Sequence, residues 1–217
     1  MPNRYALMIV DMQRYYLEAE SDYCRYFESL RPGSLDYILA RCRATVIPNI
    51  LDLRGLFRRM DLPVIYLRLC GTNPGREDLH RFFRGTWEAG RARGFADVYP
   101  LRADPWSQVL GALAPAPGDT VICKTTYSPF ASADIAEALG ALGIAGLVMT
   151  GLATSQCVET TARDASDRGF EIVHVEDAQA DYDETTHHAS LYSSRGVCGG
   201  TIVGTRDFIE HHDGFLV

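Results

Sequence analysis

The sequence has no long hydrophobic run and no excess of positive charge. Its 217 residues carry 21 lysines and arginines against 28 aspartates and glutamates, a formal net charge of −7. This balance would repel a phosphate backbone or an anionic membrane surface, so neither nucleic acid nor a membrane is expected as a partner. The first apolar run ends at Asp11 and is too short for a signal peptide or a membrane span. We expect a soluble protein.

Paired cysteine motifs are also missing. The six cysteines show no CxxC pair and no zinc-finger spacing; they are Cys24, Cys42, Cys70, Cys123, Cys157 and Cys198. A chain of this length buries enough apolar surface to fold without disulfides. The pattern therefore predicts reduced thiols and a cytoplasmic location.

Short apolar runs alternate with segments of helical periodicity along the chain. The predicted strands are residues 6–10, 64–69, 120–123, 147–150, 172–175 and 200–203. The predicted helices are residues 35–60, kinked or divided at Pro48, and residues 106–113, 132–142 with Ser132 as N-cap, 155–168, 185–194 and 205–211. Strands separated by helices predict a mostly parallel sheet covered on both faces. Because no repeat or composition shift interrupts it, residues 1–217 are predicted to form one α/β domain.

Two segments lack a clear period. Residues 14–31 mix aromatic and charged side chains and are predicted to form a loop with a helical turn. Residues 70–100 are rich in glycine, arginine and aromatic residues. They are predicted to form a long loop of the kind that is usually functional or lid-like.

Three reactive side chains follow predicted strands, at the edge where an open parallel sheet binds ligands. Asp11 follows the first strand, Lys124 follows the third, and Cys157 begins the helix after the fourth. Each has an ordinary alternative: a turn-capping aspartate, an exposed lysine or a small buried cysteine. Together they favour nucleophilic catalysis, because a helix amino terminus and a nearby ammonium lower the pKa of a thiol. A carboxylate can take the thiol proton and return it to a leaving amine.

The segments that carry these residues read IVDMQ, VICKTTYSPF and MTGLATSQCVETTARDA. With VHVEDAQAD after the fifth strand, this combination resembles the isochorismatase-like cysteine hydrolases over nearly the whole chain. The resemblance implies a Rossmann-like fold with a six-stranded parallel sheet, and a catalytic triad of Asp11, Lys124 and Cys157. It also implies a cis peptide bond between Leu152 and Ala153, which would aim the backbone N–H groups of Ala153 and Cys157 at an oxyanion.

The implied activity is hydrolysis of a C–N bond in a small amide, carbamoyl or ureido compound through a thioester, with release of ammonia or an amine. Vinyl-ether hydrolases of the family generally lack the cysteine, so Cys157 argues against that reaction. Nicotinamidases of the family carry an Asp-x-His metal motif after the second strand, where this chain reads LRLCGTNPGRED. We therefore expect no metal and no cofactor. The adjacent pairs His187-His188 and His211-His212 are of a kind more often found on surfaces than as ligands.

The substrate-binding candidates are Gln13, Phe83, Trp87, Tyr127 and Gln156. Their aromatic members are equally suited to packing the long loop or a subunit interface. The run RGTW at residues 84–87 resembles an element of amidases that act on biuret, N-carbamoylsarcosine and ureidoacrylate, and Arg81 or Arg84 is a candidate partner for a substrate carboxylate.

The resemblance also implies a homo-oligomer, a dimer or tetramer. The mixed aromatic and charged residues 14–27 are a candidate subunit contact, but they could equally line the entrance to the pocket. Other functions stay open: a nicotinamidase-like or isochorismatase-like hydrolase of another small molecule, an ether or ester hydrolase that does not need the thiol, a non-catalytic binding relative, or a thiol redox sensor.

Overall fold

A single sheet of six parallel strands forms the centre of the molecule. The computed structural model describes residues 4–193 and 200–216. The strands are β1 (Arg4–Val10), β2 (Val64–Leu69), β3 (Thr120–Lys124), β4 (Ile144–Leu152), β5 (Glu171–Ala180) and β6 (Thr201–Val203). They lie in the order β3-β2-β1-β4-β5-β6. The chain therefore reverses direction across the sheet between β1 and β4, and the predicted single-domain, Rossmann-like α/β fold is confirmed.

Ten α-helices connect the strands in the described part of the chain. They are α1 (Arg14–Leu17), α2 (Asp22–Leu30), α3 (Asp36–Arg41), α4 (Ile47–Arg59), α5 (Arg81–Ala92), α6 (Ile135–Ala141), α7 (Glu159–Asp167), α8 (Glu184–Ser193), α9 (Thr205–Glu210) and α10 (Asp213–Leu216). None of the described helices is long and apolar enough to cross a bilayer.

The two faces of the sheet have separate hydrophobic cores, as alternation along β1 requires. Leu7 and Ile9 pack with α4 and α9 on one face. Met8 and Val10 pack with α6 and α7 on the other. Each fully buried aliphatic side chain contributes roughly 1.5–3 kcal/mol, so both helical layers are held firmly to the sheet.

The helix predicted over residues 35–60 runs from Asp36 to Arg59, with a π-helical turn, Cys42–Val46, between α3 and α4. The backbone is helical on both sides of this turn, which lies just before Pro48, the second residue of α4. The predicted interruption near Pro48 is therefore a local change of hydrogen bonding within one continuous helix.

The loop prediction for residues 14–31 is wrong, because α2 occupies much of that segment. Ser21 caps this helix by accepting a hydrogen bond from Cys24 N at 3.1 Å. Its buried side chains include Tyr23 and Tyr26. Tyr23, Tyr26 and Phe27 follow the i, i+3, i+4 spacing of one helix face, so the helical period was present in the sequence and was missed.

The segment 70–100 is likewise not one long loop, since α5 lies within it. His80 caps α5, and Phe83, Trp87 and Gly90 form its buried face at spacings of four and three. Gly90 is needed because a Cβ there would lie 2.4 Å from Val98 Cγ2. The two glycines of this helix, which favour loops in a sequence, conceal it.

Several predicted boundaries change. The helix predicted at 106–113 is two short 3₁₀ turns, Pro105–Ser107 and Gly111–Leu113. Ser132 is not an N-cap, because its hydroxyl accepts a hydrogen bond from Thr125 N, and α6 starts at Ile135. β5 continues past Val175 to Ala180, through a register shift opposite β4. Ser194, at the end of one predicted helix, and Cys198 lie outside the described residues.

Candidate active site

Asp11 lies directly beyond the end of β1, with its side chain 1% exposed. Its backbone is left-handed, with φ of 51°. Aspartate tolerates this conformation better than most residues. The Asp11 N–H donates to Leu67 O at 3.0 Å, and its carbonyl accepts from Gln13 N at 2.8 Å. These bonds to the neighbouring strand and to the following turn fix the position of the carboxylate.

Lys124 is the last residue of β3, and its side chain is completely buried. Its ammonium contacts Asp11 Oδ2 at 2.8 Å, Cys157 Sγ at 3.2 Å and the Thr126 carbonyl at 3.1 Å. An ammonium has three N–H donors, so these three contacts account for all of them, the one with Asp11 as an ion pair and the other two as hydrogen bonds. The lysine therefore joins the carboxylate to the thiol.

Cys157 lies in a five-residue π-helical turn, Thr154–Val158, between β4 and α7. β4 passes very close to β1 just before this turn: a Cβ on Gly151 would lie 2.1 Å from Val10 O, and Gly151 has φ of 100°. Only glycine fits both constraints. The close approach delivers the thiol to Asp11 and Lys124.

The expected cis peptide between Leu152 and Ala153 is wrong. No described peptide bond is cis. Leu152 is still paired with Ala180 of β5, and Ala153 has an ordinary extended backbone with φ of −86° and ψ of 147°. The left-handed Gly151 and the π-helical turn provide the change of chain direction.

Two buried side chains from outside the turn hold its first residues. Asp181 Oδ2 accepts a hydrogen bond from Ser155 N at 2.6 Å. The hydroxyl of Thr154 is 2.8 Å from Nδ1 of His187. His187 is fully buried, so its expected surface position is wrong. Asp181 directly follows β5, a position that is typical of site residues in a parallel sheet. This sequence signal was missed because the predicted fifth strand ended at Val175.

The pKa of Cys157 is raised, contrary to the expectation of a lowered value. Burial is the main cause, and it outweighs the opposing effect of the Lys124 ammonium. Burial also raises the pKa of Asp11, although Lys124 acts in the other direction. Burial lowers the pKa of Lys124, but attraction to Asp11 and Cys157 exceeds that effect and leaves the pKa raised. A neutral thiol beside an Asp⁻/Lys⁺ pair fits these directions and leaves the buried cluster without net charge.

Neither carboxylate oxygen of Asp11 has a well-directed hydrogen bond among the described residues. The 2.8 Å contact with Lys124 is thus an ion pair of poor hydrogen-bond angle. A buried carboxylate of this kind retains capacity to accept a proton or a hydrogen bond.

A small cavity opens onto the thiol and leaves about 20 Å³ of free space, enough for about one water molecule. Its lining residues are Asp11, Tyr16, Tyr23, Leu35, Ile38, Leu152, Ala153, Gln156, Cys157 and Tyr182. The wall opposite Cys157 therefore comes from residues 16–38 and from Tyr182. Of the five predicted substrate-binding residues, only Gln156 lines this cavity.

The other four predicted pocket residues do not line this cavity. Gln13 is buried and bonds to the Leu69 N–H and carbonyl. Phe83 packs on Tyr127, with ring centroids 4.6 Å apart. Trp87 donates to Ala96 O at 3.0 Å. These contacts tie α5 and the strand ends together behind the cavity.

Arg84, a predicted partner for a substrate carboxylate, forms an exposed ion pair with Glu88 of the same helix, and Arg81 is exposed. Neither arginine lines the cavity.

One group of side chains has the composition of a metal site. The candidate ligand atoms of Glu176, His187 and His188 lie within 4.8 Å of one another. Both ring nitrogens of His187 are already engaged, Nδ1 with Thr154 and Nε2 with the Arg41 guanidinium at 3.2 Å. A cation bound there would meet the positive charge of Arg41, so these residues fit a metal ion poorly.

The strand order and the cluster at the carboxyl edge of the sheet place the chain among Rossmann-like α/β proteins. The isochorismatase domain family matches residues 5–207. The chain belongs to this family of hydrolases.

Individual relatives agree with this assignment. A ureidoacrylate amidohydrolase of Variovorax paradoxus (strain S110) is 31% identical over 177 residues, which cover 80% of this chain and 67% of that protein. N-carbamoylsarcosine amidase from Thermoplasma acidophilum is 27% identical with a TM-score of 0.66, and the match covers 93% of this chain and 96% of that one. An isochorismatase family protein from Desulfovibrio vulgaris subsp. vulgaris str. Hildenborough has a TM-score of 0.78 at 21% identity, over 99% of this chain and 98% of that one.

Proposed function

We propose that the protein is a cysteine-dependent hydrolase that cleaves a C–N bond in a small amide, carbamoyl or ureido compound. The observation that carries this proposal is the single ammonium of Lys124 in contact with both the Asp11 carboxylate and the Cys157 thiol. The amide-cleaving relatives support the same bond type. The proposed chemistry uses side chains and backbone N–H groups of this chain and no metal.

In the resting site the thiol is neutral and the Asp11 and Lys124 charges cancel. Cys157 Sγ attacks the carbonyl carbon while its proton moves to Asp11, so no isolated thiolate has to form in the buried cluster. Negative charge moves to the substrate oxygen. Asp11 is now protonated and neutral, so the positive charge of Lys124 stabilises the negative charge on the substrate oxygen.

The backbone N–H groups of Ala153 and Cys157 are the proposed donors to that oxygen. Both residues line the cavity, Ala153 just before the π-helical turn and Cys157 within it. Removing one such donor typically costs about 3 kcal/mol in the transition state. Asp181 and His187, which hold Ser155 and Thr154, would keep these donors in position.

The tetrahedral intermediate collapses when protonated Asp11 gives its proton to the leaving nitrogen. An amide releases ammonia or an amine and leaves a thioester on Cys157; a ureido compound leaves a carbamoyl thioester. Asp11 then takes a proton from water, which attacks the thioester and restores the thiol. The products are a carboxylic acid from an amide, or a carbamate from a ureido compound.

Burial disfavours the redox-sensor alternative. Sensor thiols are exposed and carry a lowered pKa, whereas Cys157 is 4% exposed and its pKa is raised. Hydrolysis of a nicotinamide-like amide would use the same residues and is a substrate question within the proposal.

The test is ammonia release from a panel of ureido compounds, carbamoyl compounds and primary amides, nicotinamide included. We expect release with at least one compound and a loss of more than a thousandfold in Cys157→Ala. Cys24→Ala is the matched control, because Cys24 is also a buried thiol but lies outside the cavity. Absence of ammonia release from every compound would contradict the proposal.

A further inference from the structure

We infer that this site selects uncharged substrates and disfavours those with a carboxylate beside the reacting group. The inference rests on the proposed function and defines its substrate class. It comes from the charges, rings and aliphatic side chains that surround the thiol.

The ionisable groups at the cavity leave nothing to balance an anion. Among the described residues that line it, Asp11 is the one that carries a charge at neutral pH, and that charge is negative. Lys124 lies behind the thiol, with each of its three N–H donors already engaged. A substrate carboxylate would therefore be a second buried anion close to Asp11.

An arginine on a helix that contributes to the wall opposite the thiol is also engaged. Arg41 lies one turn along α3 from Ile38, which lines the cavity. Its guanidinium donates to the Gln179 carbonyl at 3.0 Å and contacts His187 Nε2 at 3.2 Å. Turning it toward the cavity would break the support of the Thr154–His187 contact.

The remaining lining favours a neutral group. Tyr16, Tyr23 and Tyr182 face the cavity, and burial raises the pKa of each phenol, to about 12 for Tyr182. Tyr23 and Tyr182 hydroxyls are 2.8 Å apart. Because the free space holds about one water molecule, a substrate must displace these rings together with Leu35 and Ile38. They then offer its substituent apolar contact and at most neutral hydrogen bonds.

Two matched pairs of compounds test this inference. 3-Methylbutylurea has the shape of 3-ureidopropionate with an isopropyl group in place of the carboxylate, and 4-methylpentanamide bears the same relation to succinamate. We expect kcat/KM for the neutral member to exceed that for the acid by about a hundredfold, because a buried anion without a partner is strongly disfavoured. If neither pair turns over, protection of Cys157 from alkylation ranks the same compounds, and the same order is expected.

Equal values, or a preference for the acid, would overturn the inference and leave the proposed function intact. Absence of ammonia release from the whole panel, with protection still favouring the neutral compounds, would instead contradict the proposed function alone.

A charge-introducing variant makes the test independent of substrate shape. Gln156 lines the cavity and is only partly buried, so Gln156→Arg places a cation at the cavity with little cost to folding. We expect it to raise the acid-to-neutral ratio of kcat/KM about tenfold, whereas Gln156→Met leaves the ratio unchanged. An unaltered unfolding midpoint would show that the arginine variant is folded. An unchanged acid-to-neutral ratio in that folded variant would count against the inference.

Discussion

Lys124 and Asp11 form a 2.8 Å ion pair in which the two side chains are 0% and 1% exposed. Charges this deeply buried lose their hydration, and mutual attraction returns only part of that free energy. The pair is therefore a poor device for stability alone. Its contact with the Cys157 thiol explains its presence. A carboxylate that is shielded from water is a stronger base, and the proposed reaction needs such a base to take the thiol proton.

Removing one member of this pair should destabilise the fold more than removing both charges. Lys124→Met leaves an uncompensated buried carboxylate and should lower the free energy of unfolding by about 3–5 kcal/mol at pH 7. Asp11→Asn combined with Lys124→Met should recover much of that loss. Asparagine is the right replacement because it tolerates the left-handed backbone of residue 11. Denaturant titrations of the wild type, Lys124→Met, Asp11→Asn and the double variant complete the cycle; a loss in the double variant equal to the sum of the two single losses would rule out coupling.

The Cys157 thiol should ionise only at alkaline pH. Its raised pKa means that the neutral form persists above the ordinary thiol range, so alkylation should be slow at pH 7 and accelerate as the pH rises. Asp11→Asn removes a like charge and should speed alkylation at pH 8, whereas Lys124→Met should slow it.

Cys123 provides an internal reference for that experiment. It is partly exposed, and the neighbouring Cys70 thiol lowers its pKa. Site-resolved mass spectrometry should therefore find Cys123 modified at pH 7 well before Cys157. A Cys157 that reacts as fast as Cys123 at pH 7, or a rate that Lys124→Met leaves unchanged, would contradict the assigned charge states.

Asp181 should position the nucleophile turn. Asp181→Asn weakens the charge-assisted bond to Ser155 N and should lower kcat about tenfold, which corresponds to about 1.4 kcal/mol, with KM nearly unchanged. Asp183→Asn is the matched control, because Asp183 caps α8 through Thr186 at the surface and asparagine caps equally well. A fall in stability without a fall in kcat would reduce Asp181 to a structural role.

Gly151 should be intolerant of any side chain. Gly151→Ala places a Cβ against the Val10 carbonyl and forces a left-handed alanine, so we expect a loss of about 3 kcal/mol or more. Gly140→Ala is the control: its Cβ meets nothing within 4 Å, and α6 should gain about 0.5–1 kcal/mol. Thermal unfolding compares the two variants, and similar midpoints would disprove the steric argument.

The parallel sheet could be predicted from the sequence because its strands are short apolar runs separated by segments of helical periodicity. Asp11, Lys124 and Cys157 could be brought to one edge by the same argument, since strand ends meet there in any parallel sheet. The cavity wall could not. Tyr16 and Tyr23 come from residues 14–31, where the mixed aromatic and charged residues left an oligomer contact and a pocket entrance equally open. Ile38 lies on a predicted helix, but its periodicity does not show that the helix faces the thiol.

The direction of the Cys157 pKa shift could not be predicted from the sequence either. Proximity of Lys124 suggests a lowered thiol pKa, but the sign depends on how much water the fold excludes, and Cys157 is nearly fully buried. For Phe83 and Trp87, the sequence did not decide between lining the pocket and packing the segment 70–100. Their spacing of four is helical, but glycines at 85 and 90 concealed α5 and with it the inward direction of both rings.

The most direct test of covalent catalysis is mass spectrometry of the protein quenched during turnover of a compound from the ammonia-release panel. The account predicts an acyl or carbamoyl adduct on Cys157 that forms and decays with turnover. It also predicts that Asp11→Asn slows both formation of the adduct and ammonia release. Ammonia release by Cys157→Ala at the wild-type rate, with no adduct on the wild-type thiol, would contradict it.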